Sequence, residues 1–183
     1  MADIETARLV FHRPQATDFA ESAAMWADPI TTAYIGGKPS TAEESWSRLL
    51  RQAGHWALCG YGYWVVRQPG TGKFVGEVGL KQFRRNLDSA WETLPEIGWV
   101  LASWAHGQGL AVEAAQAALR WGDARFAWPR TLCLIEPENR ASLRVAARCG
   151  YTACGQRVYN GKDVAIFGRS AQPIDPGLAG KTR

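Results

Sequence analysis

The chain has 183 residues, 46% of them hydrophobic and 21% charged, with a formal net charge of +4. That length allows one domain with a sizeable core, and no apolar run approaches the roughly 18 residues of a membrane helix. The Lys and Arg residues are scattered, with no basic run longer than Arg84-Arg85; this is too weak a pattern to predict a nucleic-acid surface and suits an anionic small ligand.

The N-terminal MADIETARLVF carries no basic segment followed by an apolar one, so the cytoplasm is the expected compartment. Residues 7–13, ARLVFHR, read as a first strand stopped by Pro14. Residues 17–28 read as a short helix capped by Thr17 or Asp18. After the loop YIGGKPS, Thr41 and Glu44 form a capping box that opens a second helix, with Trp46, Leu49, Leu50 and Ala53 recurring on one face. YGYWVVRQ is a strand, PGTGK a hairpin turn, and 74–83 a second strand, whose two glycines predict close backbone approach or a bulge. A polar connection over 84–93 leads to a third strand, 94–102. A long helix over about 109–126 ends before Pro129. TLCLIE (131–136) is a short apolar strand, and residues 139–150 form a helix with Asn139 as N-cap and Gly150 at C′. A final hairpin turns at Asn160-Gly161. Residues 1–169 thus form a single domain, and 170–183 read as a flexible C-terminal tail.

Cys59, Cys133, Cys149 and Cys154 form no C-x-x-C pair and have no histidine at zinc-ligand spacing, so they read as small buried side chains and no metal site is expected. Of the nine tryptophans, Trp26, Trp46 and Trp56 fall in the loop-rich N-terminal half and are candidates to line a pocket.

The seam between the third strand and the long helix holds the main chemical signal. HGQG places Gly107 and Gly109 where the helix begins, and no acid precedes Glu113 in the helix. A helix N-terminus has unpaired amides and a partial positive charge, and glycine lets a backbone approach an anion closely. Gly109-Leu110-Ala111-Val112 leaves that charge free for a ligand; the alternative is a tight turn without one. A Walker loop is excluded because G-K-[ST] is absent. Val112 stands where the third glycine of a dinucleotide loop belongs, and the strand before the seam follows a meander rather than opening the fold.

HGQGLA resembles the acyl-CoA pyrophosphate loop of the GNAT acetyltransferases, Q/R-x-x-G-x-G/A, through His106, Gly109 and Ala111, with Gly107 also common there. His106 departs from the usual Gln or Arg. Together with PEIGWVL before it and NRASLRVAARCGY after it, the pattern is similar to the branch containing the ribosomal-protein N-terminal (alanine) acetyltransferases, whose N-x-x-S, short helix, Gly and aromatic match Asn139, Ser142, Gly150 and Tyr151. The resemblance covers roughly residues 5–169. It implies an α/β fold with a mixed, mostly antiparallel sheet split into a V and flanked by about four helices.

The resemblance also implies an acetyl-CoA-dependent N-acetyltransferase using direct attack by a primary amine. Acetyl-CoA would be the co-substrate, held by strand backbone at Trp99, Val100 and Leu101, by the loop residues His106, Gly107, Gln108, Gly109, Leu110, Ala111 and Val112, and by Asn139 and Ser142. Asn139 can equally be an N-cap. The amine must lose a proton, the oxyanion needs a donor such as the amide near Val100 or Leu101, and the leaving thiolate gains from a proton. Glu96 is the first candidate base, sharing a strand face with Gly98 and Val100; Glu77 is the second. The tyrosine that many relatives use as acid is Ala146 here, so Ser142 is the substitute, as acid or as proton relay. Tyr151 reads as core. The acidic residues Glu77, Asp88, Glu92 and Glu96 would suit a cationic acceptor. Both a protein or peptide N-terminal amine, slightly favoured by the branch, and a small-molecule amine stay open, as does a non-catalytic acyl-CoA-binding module. Neither a nucleic-acid nor a membrane partner is expected, and a monomer and a homodimer are both compatible.

Overall fold

A computed structural model of the chain describes residues 3–84, 91–159 and 161–172. The elements are β1 (Ile4–Glu5), β2 (Val10–His12), α1 (Phe19–Ala27), α2 (Pro29–Thr32), α3 (Ala42–Cys59), β3 (Tyr63–Arg67), β4 (Phe74–Lys81), β5 (Glu96–Leu101), α4 (Leu110–Arg125), β6 (Arg130–Ile135), α5 (Arg140–Arg148), β7 (Thr152–Tyr159) and β8 (Lys162–Ser170). They build one mixed sheet ordered β1-β2-β3-β4-β5-β6-β8-β7. Every neighbouring pair is antiparallel except β5 and β6. Those two parallel strands register at one position, Glu96 opposite Leu132, with Leu132 N–H donating to Pro95 O at 2.9 Å. Beyond it they diverge, which gives the expected V.

The main core lies between the sheet and α4, where Trp64, Val78, Leu80, Ile97 and Leu101 meet Leu110, Ala114 and Ala118. A smaller cluster of Met25, Trp26, Val65, Phe74 and Val100 packs on the opposite side. Small residues on α4 let the helix lie close to the strands, so its N-terminus points at the end of β5.

Several sequence expectations change. The strand predicted over 7–13 is shortened to β2, and a turn before it leads back to β1, because Thr6 and Arg8 are drawn to Glu113 of α4: Thr6 Oγ1 donates at 2.6 Å and Arg8 Nε at 2.7 Å. The helix over 19–27 has Asp18, one of the two expected caps, at its N-cap position, but the Asp18 side chain makes no cap bond there and a 3-10 turn capped by Gln15 precedes it. A one-turn helix, α2, follows Asp28, whose side chain accepts from the Ile30 amide at 2.8 Å. The connection 85–90, Asn160 of the predicted hairpin turn and 173–183 of the predicted tail lie outside the described residues; Ser170 belongs to β8. Cys133 and Cys149 are buried as expected, but Cys59 and Cys154 are exposed. Burial pushes the Cys149 thiol up to about 11. The glycines of β4 do mark close approach: a Cβ on Gly76 would run into the Val100 carbonyl and one on Gly79 into Gly62.

The capping box of α3 is present, with Thr41 N–H to Glu44 at 2.8 Å and Glu44 N–H to Thr41 Oγ1 at 3.1 Å. Its buried face is not the expected one. Ser45, Leu49, Gln52, His55 and Trp56 face inward, while Leu50 and Ala53 are exposed and Trp46 lies edge-on against Phe19 at the surface. The inward stripe is largely polar because each polar member has its own partner. His55 Nδ1 lies 2.6 Å from Tyr61 O, and its Nε2 accepts from Gln82 N–H at 3.2 Å. One nitrogen therefore donates and the other accepts, which requires the neutral ring. Burial lowers its pKa from the ordinary value, partly offset by the Tyr61 bond. The unfolded chain thus takes up this proton first as pH falls, so the contribution of His55 is intact above about pH 6.5 and is lost below it. We expect the melting temperature to fall as pH drops from 7 to 5.5, with a shallower slope in His55→Asn; equal slopes would show that His55 is not the group concerned.

Candidate active site

Two cavities open on either side of the free part of β5. The first, of about 590 Å³, runs from Trp99 and Leu101 past the seam at His106, Gly107 and Gly109 to Arg144 and Arg148 of α5. The second, of about 420 Å³, lies between α3 and the strands and is lined by Trp26, Arg48, Gln52, Tyr63 and Glu96. Tyr34, Ile35, Trp99, Val100, Asn139 and Ser142 line both, so the cavities meet at the mouth of the V.

At the seam, Gly107 and Gly109 adopt φ of 74° and 75°. This left-handed geometry costs an ordinary residue about 1–2 kcal/mol and is free to glycine. The Glu113 amide is the first to close within the helix, on Gly109 O at 3.2 Å. The amides of Leu110, Ala111 and Val112 therefore have no intrahelical acceptor, and they border the first cavity. The loop is braced from outside. Arg8 Nη1 donates to Gln108 O at 3.0 Å and the Gln108 amide group donates to Trp104 O at 2.7 Å. His106 Nε2 lies 2.9 Å from Leu101 O, so His106 and Gln108 use their side chains to hold the loop. The one acid near this helix end does not fill the site: Glu113 is turned to Thr6 and Arg8. Burial alone would raise its carboxyl, but those bonds hold it below the usual range.

The backbone of β5 alternates in a way the sequence did not show. Ala102 N–H donates to Val75 O at 2.9 Å, and Val100 stands opposite Glu77. Antiparallel alternation then turns the amide and carbonyl of Val100 toward β4, and those of Trp99 and Leu101 toward the opening. Val100 thus offers the cavities its side chain, and the expectation that its amide faces the ligand is corrected. Across the V, Asn139 Oδ1 accepts from Ser142 N–H at 3.0 Å, the N-cap bond. Trp99 Nε1 donates to Ser142 Oγ at 3.3 Å. One lone pair of the serine is thereby occupied, and its own O–H is left to donate elsewhere.

The candidate bases separate clearly. Glu96 lines the second cavity. Glu77 is fully buried on β4 and accepts from Ser22 Oγ at 2.5 Å, Gln52 Nε2 at 2.7 Å and Trp26 Nε1 at 3.2 Å. The acidic mouth expected from Glu77, Asp88, Glu92 and Glu96 is not assembled. Glu77 is enclosed, Asp88 lies outside the described residues, and Glu92 meets Glu96 only in a small cleft with Phe83, Trp91 and Leu94, outside the second cavity. Arg48, Arg51 and Lys81 line the second cavity instead. Tyr151 is core, its hydroxyl 2.5 Å from Thr131 Oγ1, and burial pushes it up from the usual tyrosine range.

Sequence reasoning missed Tyr63, whose hydroxyl lies over Gly98; a side chain at Gly98 would occupy its place. Tyr63 therefore crosses the face shared by Glu96, Gly98 and Val100. Of the three candidate pocket tryptophans, Trp26 lines the cavity, Trp56 is core and Trp46 is at the surface. Among the described residues, no group of three or more His, Cys, Asp and Glu could hold a metal ion, and no helix is long and apolar enough to cross a membrane.

The comparisons with known proteins agree with this geometry. The family model described as "Acetyltransferase (GNAT) domain" matches residues 8–152. The uncharacterized protein YkkB of Bacillus subtilis (strain 168) is 30% identical over 168 residues, covering 90% of this chain and 91% of that protein. A solved structure from Bordetella pertussis, assigned to the GNAT acetyltransferases, superimposes with a TM-score of 0.81 at 29% identity, covering 91% of this chain and 98% of its own. The ribosomal-protein-S5-alanine acetyltransferase of Vibrio fischeri shares the fold, with a TM-score of 0.73 at 20% identity over 94% of this chain and 98% of its own. A family match across most of the chain, a V-shaped sheet and an open helix end at its mouth lead to one conclusion: the chain belongs to the GNAT acetyltransferase family.

Proposed function

We propose that the protein transfers an acetyl group from acetyl-CoA to a primary amine, of a small molecule or a peptide, by direct attack. The observation that carries this reading is the meeting of the two cavities at Trp99, Val100, Asn139 and Ser142. A donor threaded from the glycine seam and an acceptor entering from the α3 side come together there. The unpaired amides from Gly107 to Val112 suit the pyrophosphate. The open edge, made of the Trp99 amide and carbonyl and the Leu101 amide, suits the pantetheine arm, which pairs as an added strand, while the Leu101 carbonyl is held by His106. Arg144 and Arg148 supply positive charge at the outer end for the remaining phosphate.

The neutral amine nitrogen attacks the thioester carbon, forming the C–N bond as the carbonyl electron pair moves onto oxygen. The Trp99 amide is the donor for that oxyanion: it faces the opening, and Trp99 lines both cavities. When the oxygen pair returns, the C–S bond breaks. The sulfur takes its proton through Ser142, and the ammonium proton leaves toward Glu96. Glu96 is three residues from Trp99 along the strand, roughly 10 Å, so it works through water, with the Tyr63 hydroxyl lying between. Glu77 shapes the wall and takes no proton.

The test combines binding and turnover. Acetyl-CoA should bind in calorimetry where NAD does not. In a thiol-release assay Glu96→Gln should lower kcat roughly tenfold to a hundredfold and Ser142→Ala about tenfold, both with cofactor affinity within threefold of the parent. Unchanged kcat in both would remove the assigned acid and base, and absence of acetyl-CoA binding would remove the reading itself.

A further inference from the structure

The wall of the acceptor cavity contributed by α3 carries polar groups that the chain does not satisfy. Arg48 stacks its guanidinium on Trp26, 3.6 Å from the ring centroid, and Nη2 donates to Ser40 Oγ at 3.2 Å. Nη1 is buried and has no acceptor. One turn further along the same wall, Gln52 is 4% exposed. Its Nε2 is fixed by Glu77, and its Oε1 is buried without a donor. Glu77 is near enough to be felt electrostatically by Arg48, yet its oxygens are taken by Ser22, Trp26 and Gln52. Neither Arg48 nor Arg51 forms an ion pair among the described residues. On the opposite wall Glu136 is already matched by Lys162 at 2.7 Å. A guanidinium held rigid, partly desolvated and short of an acceptor is preorganised for an incoming anion.

We propose that the acceptor is a primary amine that itself carries an oxyanion, a carboxylate or a phosphate, which Arg48 receives with help from Arg51 while the amine reaches the mouth of the V. Gln52 Oε1 accepts an N–H or O–H of the same molecule. This deepens the acetyltransferase reading and rests on it. It selects amino-acid-like amines over polyamines and other purely cationic acceptors, which Arg48 and Arg51 repel. Arg48 and Arg51 determine specificity and take no part in the bond changes.

The experiment is a thiol-release assay on the full chain with matched amines: amino acids as free acids against their amides, O-phosphoethanolamine against ethanolamine, and spermidine. Turnover should be confined to members bearing an oxyanion, and the better of the carboxylate and phosphate arms identifies which one is used. With the best of these, Arg48→Met should raise KM at least about thirtyfold. In that variant kcat should stay within threefold and acetyl-CoA affinity should be unchanged, and Arg48→Lys should recover part of the loss. Arg51→Gln, at the exposed position, should raise KM severalfold. Equal turnover of an acid and its amide, turnover of spermidine, or an unchanged KM in Arg48→Met would overturn the proposal. So would a protein that binds acetyl-CoA and acetylates none of the oxyanion-bearing amines. Failure to bind acetyl-CoA is a separate result, and it removes the acetyltransferase reading and the proposal together.

Discussion

Gly109→Val should weaken acetyl-CoA binding by a hundredfold or more while leaving the protein folded. Gly109 is the residue before the first turn of α4, with φ at 75°. A β-branched side chain in that conformation costs at least about 1–2 kcal/mol. Relief comes from a backbone rotation that swings the Gly109 and Leu110 amides away from the pyrophosphate. Each charge-assisted bond lost is worth about 1.5–3 kcal/mol, so the sum reaches the hundredfold range. The folded state tolerates the change because the seam is exposed and only the Arg8 side chain lies near a Cβ there, at 3.7 Å. Gly109→Asn is the control, since asparagine accepts the left-handed conformation; it should retain most of the affinity. Calorimetric titration of both variants, with melting temperatures measured alongside, checks the expectation. Parent-like binding by the valine variant would show that these amides do not carry the cofactor.

The second large effect is on stability. Glu77→Ala strands three buried donors, from Ser22, Gln52 and Trp26. Each unsatisfied group costs about 1–3 kcal/mol, partly recovered by repacking, so a loss of about 3–5 kcal/mol is expected. For a chain of this size that lowers the melting temperature by about 10 °C. Glu77→Gln keeps one acceptor oxygen and should lose less than half as much, with kcat within threefold of the parent once the acceptor is saturating. Thermal melts and turnover on the two variants separate the roles. A glutamine variant that melts like the parent but turns over a hundredfold more slowly would make Glu77 the base in place of Glu96.

The features that could be read from the sequence are those decided by neighbours in the chain. Two glycines at a strand-to-helix junction, with the first acid delayed to Glu113, describe an open helix end without reference to anything distant. Asn139 and Ser142, three residues apart, predict the cap bond that the structure shows. What could not be read depends on partners far along the chain. The inward face of α3 was misplaced because apolar periodicity assigns buried positions to Trp46 and Leu50. The actual stripe is held by Gln52 reaching Glu77, 25 residues on, and by His55 bonding Tyr61 and Gln82. The β1–β2 turn follows from Arg8 meeting Glu113, 105 residues away. The orientation of the Val100 amide is a matter of register against β4, and no residue type announces it. The acceptor wall escaped for the same reason: Arg48 reads as an ordinary charge on a helix until Trp26, Ser40 and the cavity are placed around it.

The single point of pairing between β5 and β6 has a kinetic consequence. Because the strands part after Glu96 and Leu132, the sheet is notched there, and the two cavities meet at the mouth of the notch while each keeps its own entrance. Donor and acceptor can therefore occupy the protein together, and neither has to leave for the other to enter. In the proposed reaction the acetyl group would cross where the same residues line both cavities, and CoA and acetylated amine would each leave by the cavity its substrate entered. Initial-rate plots for such an arrangement intersect. Each product competes with the substrate that used its own door, and no acetylated form of the protein is required between them.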